Sequence, residues 1–421
     1  MRFTKFLMQV SVCLLAAKAI LAQVPASRFT DATVSSSVSV SAEDVPANKL
    51  SAARIQELLA QSRQVLTADS RSDVFLAAYD ANSSRMQVVS LNKESFLTQG
   101  GEYVLTSDGG ANLRVRIVRP NGVNTAVTVT NTSTGKSMFP LMVRYPLERD
   151  GNIKPAFYVS AHPALISDDL EQAGQNYVTT MLNKAVQDLA ADGVVIPSDI
   201  ARVAAHLVIV EHTDHKRFLN EERADISREV LSLYALNRGD TYRFSVSSAG
   251  AGGMIQMIPK TYAAIRENHL NVSLKSDFVD GMTNHENALK AMLLYINDTW
   301  KFLQSQDEVQ QALRSGVATK TELLAAGYNS NPYKLPSYLA DGGSGWRTLI
   351  PGETQMYLAI YQSVDSNVDF GNSVIAQAEP TTSILAPATA FVQDTTASLI
   401  SWVGNLLPSP SLPGLSGAAV H

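Results

Sequence analysis

The chain has 421 residues, 45% of them hydrophobic and 17% charged, which is enough apolar material for more than one cored domain and excludes disorder throughout. Its formal net charge of -5 is spread without long runs of one sign, so there is no electrostatic footprint for nucleic acid or for an anionic membrane face.

Arg2 and Lys5 precede an apolar stretch from Phe6 to Leu21 that ends in small residues around Ala22. This is the build of a secretory signal peptide over residues 1–22. The single cysteine, Cys13, lies inside it, so the mature chain is expected to have no thiol, no disulfide and no cysteine nucleophile. No later apolar run reaches the length of a membrane span. The expected setting is therefore periplasmic or secreted, with no integral membrane segment after cleavage. Residues 23–72 read as a Ser- and Ala-rich linker followed by a short helix, with Leu50, Ile55, Leu58, Leu59 and Val65 at helical spacing.

Over residues 73–160 the texture changes to short β-branched and aromatic runs separated by Gly, Asn, Asp and Pro. "LRVRIV" and "TAVTVT" alternate as half-buried strands do, which predicts a small antiparallel β domain. It carries no constellation of catalytic residue types and reads as a binding or positioning module. Helical texture begins after Ser167, a candidate N-cap, and runs over residues 165–365 with a first stop at Gly193. Residues 366–421, rich in Ala, Ser, Thr and Pro, read as a low-complexity, disordered tail. The fold class expected is α+β, a mainly helical domain preceded by a small antiparallel β domain.

Within the helical part, "PSDIARVAAHLVIVEHTDHKRF" offers Ser198 as an N-cap and a core-facing stripe through Ile200, Ala204, Leu207 and Val208. Glu211 lies three, four and seven residues after Val208, Leu207 and Ala204 and extends that stripe. Desolvation at the end of an apolar face disfavours the charged carboxylate and raises its pKa, as a general acid near neutral pH requires. The plainer alternative is a carboxylate that ends the helix and reaches water. Further on, "SSAGAGGMIQMIPKTY" places a lone Gln256 among Met254, Ile255, Met257 and Ile258, beside a glycine-rich loop. A polar group in an apolar groove wall is how many ligand sites are built.

Ser247, Gly250, Ala251, Gly253, Met254, Gln256, Pro259 and Thr261 fall on the pattern S-x-x-G-A-x-G-L-M-Q-x-x-P-x-T. This resembles the soluble lytic transglycosylase domain family, which has a lysozyme-like fold. Three further elements follow in that family's order: the helix "DFVDGMTNHENALKAMLLYINDTW", the A-Y-N-x-G-like "AAGYNSNPYKLPSYL", and "PGETQMYLAIYQSV", which matches E-T-x-x-Y at Glu353, Thr354 and Tyr357. The resemblance covers about residues 200–364.

It implies that Glu211 is a catalytic acid that later acts as base, that Tyr328 and Tyr357 bond or orient its carboxyl, and that Ser247, Gln256 and Asn329 hold the sugar. The implied substrate is the peptidoglycan glycan strand, cut at the β-1,4 link between N-acetylmuramic acid and N-acetylglucosamine with closure to a 1,6-anhydro sugar. One carboxyl suffices where the substrate's own N-acetyl group assists, and no cofactor or metal is implied. A cell-envelope protein could bind through the β domain or the C-terminal tail.

The chain departs from the family pattern. His212 follows Glu211 where the family has Ser, and Gln256 stands 45 positions after Glu211, so "NEERADISREVLSLYALNRGDTYRF" would be an inserted helix or lid. Glu229, in that segment, is the rival acid. Gly327 replaces the usual Ala before Tyr328, and Asn331 stands in place of Gly. "EHTDH" gathers Glu211, His212, Asp214 and His215, yet lacks the H-E-x-x-H spacing of a catalytic zinc helix. His206 reads as a packed core histidine, and His269 and His285 have no companions at metal spacing. A lysozyme-type hydrolase of the same bond, an enzyme on another acetylamino sugar polymer such as chitin, and a non-catalytic glycan-binding protein on this fold are the alternatives.

Overall fold

The structure, a computed structural model, describes residues 40–67, 72–149, 152–239 and 250–370. The signal segment 1–22, Ser247 and the tail beyond residue 370 lie outside the described residues. Among the described residues the chain is mixed, more helical than stranded, with one curled antiparallel sheet.

A helix α1 (Ala52–Thr67) leads into β1 (Val74–Asp80) and β2 (Arg85–Leu91), then a single-turn helix α2 (Lys93–Phe96) and the strands β3 (Glu102–Thr106), β4 (Asn112–Arg119), β5 (Ala126–Asn131), β6 (Lys136–Arg149) and β7 (Asn152–Tyr158). The strand order is β2-β1-β6-β5-β4-β3, with β7 added to the far end of the long β6. Val129 faces Met138, Phe75 faces Arg144 and Val143 faces Tyr158. The sheet curls until the residues after β3 meet β2. Asp108 N–H donates to Val88 O at 3.0 Å and its side chain accepts from Val88 N–H at 2.9 Å.

Strand β4 alternates as its sequence requires, with Leu113, Val115 and Ile117 buried inside the curl. β5, read as half-buried, is instead buried on both faces from Ala126 to Val129. It is a central strand whose other face is covered by the short 3-10 turn Ala42–Asp44, held there by the Ser137 hydroxyl on Glu43 O and by the Arg116–Asp44 ion pair. β7 has no strand signal in the sequence. Pro155 has no N–H to give a ladder, which an edge strand tolerates.

The helical part comprises α3 (Asp168–Ala191), α4 (Ser198–Val210), α5 (His215–Asn220), α6 (Arg223–Leu236), α7 (Pro259–Asn268), α8 (Phe278–Thr283), α9 (His285–Gln304), α10 (Asp307–Arg314), α11 (Lys320–Asn329), α12 (Leu335–Gly342) and α13 (Gly352–Asn367). Ser167 caps α3 by accepting from Leu170 N–H at 3.3 Å, and the helix stops at Asp192 before Gly193 turns to φ +83. Ser198, expected as the N-cap of α4, is its first helical residue. Pro197 holds the cap position, and Asp199 Oδ1 takes the Ile200 N–H at 2.9 Å.

α4 also carries more than a stripe. Every residue from Val203 to Val210 is buried, because α3, α6, α9, α11 and α13 pack around it. Each fully buried Leu, Ile or Val there contributes roughly 1.5–3 kcal/mol of transfer free energy. His206 packs in this core between the Tyr361 and Phe370 rings, and burial lowers its pKa. Phe370 and Val368 are themselves buried, so the packed chain continues past residue 366, where the low-complexity tail was expected to start. None of the helices among the described residues is long and apolar enough to cross a membrane.

The sheet and the helices share a core. Phe75, Tyr79 and Phe139 on the outer face of the curl are covered by Ile55, Leu58 and Leu66 of α1 and by Leu233 and Leu236 of α6. α6 in turn lies so close to α3 that a Cβ at Gly174 would sit 1.8 Å from Leu231 O.

Candidate active site

Glu211 is the C-cap of α4, its N–H donating to Leu207 O at 2.9 Å. It therefore does end the helix, as the plainer reading had it, but its carboxyl is engaged by protein. The Tyr357 hydroxyl of α13 donates to Oε1 at 2.6 Å across 146 positions of sequence. Although the residue keeps partial exposure, the protein around its carboxyl is dense, and desolvation pushes the pKa up to about 8. The Tyr357 hydrogen bond opposes this rise, and the like charge of Glu353 one helical turn before Tyr357 adds to it. Glu211 is thus largely protonated at neutral pH. With Oε1 accepting from Tyr357, its proton belongs on Oε2.

These causes have opposite signs and can be separated. Tyr357→Phe should raise the Glu211 midpoint above its wild-type value, whereas Glu353→Gln should lower it, both read by carbon-13 NMR titration of the glutamate carboxyls. Shifts of the same sign in the two variants would disprove this account of the site's electrostatics.

The glycine stretch forms a tight loop before α7, closed by Gly252 N–H on Met257 O at 3.0 Å. Gly253 has φ +70, and a Cβ there would lie 2.6 Å from Met282 O, so the close approach requires glycine. Gln256 also adopts a positive φ, +45, which is uncommon for a residue with a side chain. Its Nε2 donates to Gly253 O at 2.8 Å, so the lone polar residue of the stretch first serves its own loop while remaining partly exposed between buried Ile255 and Met257.

The next two carbonyls are also held by side chains. Met254 O accepts from His212 Nε2–H at 3.0 Å, and Ile255 O accepts from the Tyr328 hydroxyl at 2.7 Å. Tyr328, expected on the Glu211 carboxyl, therefore spends its proton on this loop, although it lies close enough for Glu211 to help raise its pKa after burial has done so. Burial raises the Tyr357 pKa as well. Both phenols remain hydroxyl donors.

Asn329, which follows Tyr328, accepts on Oδ1 from the Thr354 hydroxyl at 2.8 Å, joining α11 to α13. Asn331 caps the turn that follows by accepting from Tyr333 N–H at 3.0 Å. The helices α4, α11 and α13 and the glycine loop thus bring Glu211, Tyr328, Asn329, Tyr357 and Gln256 to one place, while Ser247 lies outside the described residues. Glu229 sits elsewhere, in a fork with Arg217 at 2.7 and 3.0 Å and 3.6 Å from Arg119. Its carboxylate oxygens are taken up by these guanidinium groups, and among the described residues no contact joins it to Tyr357.

His212 and His215 do not share a helical face, because α5 begins only at His215. Among the described residues no group of three or more His, Cys, Asp or Glu side chains could hold a metal ion. His269 pairs with Asp298 at 2.6 Å, and His285 Nδ1 meets the Tyr177 hydroxyl at 2.7 Å. Thr354, matched in the E-T-x-x-Y element, is buried beneath Asn329, whereas Tyr234 of α6, whose hydroxyl donates to Val208 O at 2.6 Å, has no sequence signal beyond its residue type. Comparison of the chain with family models, curated proteins and solved structures gave no match.

Proposed function

We propose that this chain is a peptidoglycan lytic transglycosylase whose helical part is a lysozyme-like domain and whose general acid is Glu211. The observation that carries this reading is a single carboxyl group, largely protonated at neutral pH, held by a tyrosine hydroxyl beside a glycine-rich loop. The four matching sequence elements support it, since three of them supply residues to that one place. In this mechanism Glu211 Oε2 gives its proton to the glycosidic oxygen as the C1–O4 bond breaks, with the substrate's N-acetyl group assisting at C1. The carboxylate then takes the proton from the sugar's own 6-hydroxyl as O6 bonds to C1, which closes the 1,6-anhydro ring and restores the acid. Gln256 and Asn329 would contact the sugar, and the N-terminal segment would direct the chain to the envelope, where such strands occur.

The test is to digest purified peptidoglycan with the mature protein and read the soluble products by mass spectrometry across pH. Anhydro-muramic ends are expected, with the rate falling as pH rises through about 8 because Glu211 then loses the proton it must donate. Hydrated reducing ends would mean hydrolysis of the same bond. Bound but unshortened strands would mean a glycan-binding protein.

A further inference from the structure

Helix α6 lies between Glu211 and the glycine loop in sequence, and apart from the rival acid Glu229 it contributes nothing to the site expected from motifs. It nevertheless reaches both sides of the Glu211 corner. The Tyr234 hydroxyl donates to Val208 O at 2.6 Å and lies 3.3 Å from Met254 O. His212, next to Glu211, donates Nε2–H to the same Met254 carbonyl, and the His212 and Tyr234 rings meet edge to face at 5.8 Å. A carbonyl only accepts, so the His212 proton is fixed on Nε2. Val208 belongs to the last turn of α4, whose carbonyls lack partners within the helix, and Met254 belongs to the glycine loop. One phenol therefore joins the two walls.

The same helix is gripped by the sheet. Asn237, the C-cap of α6, accepts from Val159 N–H at 2.8 Å and donates to Val159 O at 2.8 Å, directly after β7. Gln56 of α1 donates to Ala235 O at 2.8 Å. A cavity lined by Tyr158, His212, Tyr234, Asn237, Met254 and His285 lies behind the contact and reaches His212, the neighbour of Glu211, so loosening the contact would open a way for water toward that corner.

We infer that Tyr234 is a positioning residue for Glu211, locking the end of α4 to the glycine loop, and that the curled sheet holds this lock in place through the Asn237 clasp on Val159. The sheet is then part of the frame of the site. The predicted effect on rate rests on the lytic transglycosylase reading, but the lock itself does not.

The experiment uses the full mature chain with carbon-13 in its glutamate carboxyls. The groups acting on Glu211 are Tyr357 and Glu353 from α13, with Tyr328 from α11 close by and His212 next in sequence; Tyr234→Phe replaces none of them, although Tyr234 also acts on Tyr328 and touches the His212 ring. That variant keeps the ring and loses the donor. Its Glu211 midpoint should drop by roughly one pH unit as water reaches the carboxyl. On peptidoglycan, kcat should fall about tenfold or more with KM little changed, as expected when an acid is misplaced.

Asn237→Ala, remote from the carboxyl, should move the midpoint the same way. His212→Gln, which keeps an N–H for Met254 O, should stay nearer wild type than His212→Ala. A folded Tyr234→Phe with an unchanged Glu211 midpoint overturns the inference, and if Asn237→Ala does not fold, Tyr234→Phe and the His212 pair still decide it. If the wild type yields no product from peptidoglycan, the enzymatic reading fails and the titration alone decides the lock.

Discussion

Glu211→Gln is expected to abolish product formation, by about a thousandfold or more, while making the folded protein more stable at neutral pH. The first effect follows from removing the only proton that the proposed mechanism can give to the leaving oxygen, since general acid catalysis contributes roughly 10²–10⁴ in rate. The second follows from linkage. The folded-state pKa of Glu211 is raised to about 8 from the ordinary glutamate value of 4.5, so between these pH values the unfolded chain releases a proton that the folded chain retains. The stability associated with this group is fully present below pH 4.5 and is lost as pH rises toward 8. At pH 7 the loss is on the order of 3 kcal/mol.

Glutamine does not titrate and can still accept from Tyr357 on its amide oxygen, so the variant escapes the loss. Thermal unfolding should give Glu211→Gln a higher midpoint than wild type at pH 7 and no such advantage at pH 4. Glu229→Gln, in contrast, leaves Arg217 with half its partners and should lower stability while products still form. If products persist in Glu211→Gln although its stability gain appears, Glu211 is a buried acid without a chemical role, and the proposed mechanism fails.

What the sequence made legible follows the range of the interactions involved. The cap at Ser167, the stop at Gly193 and the alternation of β4 depend on neighbours within a few residues, and they could be read directly. β5 looked half-buried because its second cover, Ala42–Asp44, comes from a distant segment that no local periodicity encodes. β7 was hidden by Lys154 and Pro155, which read as loop and are tolerated only because the strand lies at an edge.

In the candidate site, Glu211 could be found by extending the apolar pattern of α4, whereas its link to Tyr357 was accessible only through motif order. At Tyr328 and Gln256 motif order left out a structural duty. The motif pointed Tyr328 at the Glu211 carboxyl and Gln256 at the sugar, yet a hydrogen bond from each holds a carbonyl of the glycine loop, and the left-handed φ of Gln256 is one that residue type does not announce. Tyr234 was missed because a tyrosine on a buried helix face looks like any core tyrosine until the carbonyl it meets is known.

The tightest backbone approach between α3 and α6 makes Gly174→Ala the most damaging small substitution to expect in the helical part. Two terms compete. Alanine in mid-helix is favoured over glycine by roughly 1 kcal/mol through backbone entropy. Against this, the added methyl would lie 1.8 Å from Leu231 O and 2.5 Å from its carbonyl carbon, where ordinary contact requires more than 3 Å. Both atoms are backbone in the interior of α6, so no flexible side chain can yield and one helix must move bodily by more than 1 Å. Overpacking of a close-packed core costs roughly 1–3 kcal/mol even where side chains can adjust, and here they cannot, so the clash outweighs the helix-propensity gain.

The expected result is a net loss of about 2 kcal/mol or more and a clearly lower urea midpoint. Gly345→Ala, whose added methyl meets nothing within 4 Å, is the matched control and should be near neutral. Because α6 carries both Tyr234 and Asn237, the displacement should also lower the Glu211 midpoint in whatever fraction remains folded. A Gly174→Ala protein as stable as wild type would mean that α3 and α6 can separate without consequence. In that case α6 could not be the rigid strut between the sheet and the Glu211 corner.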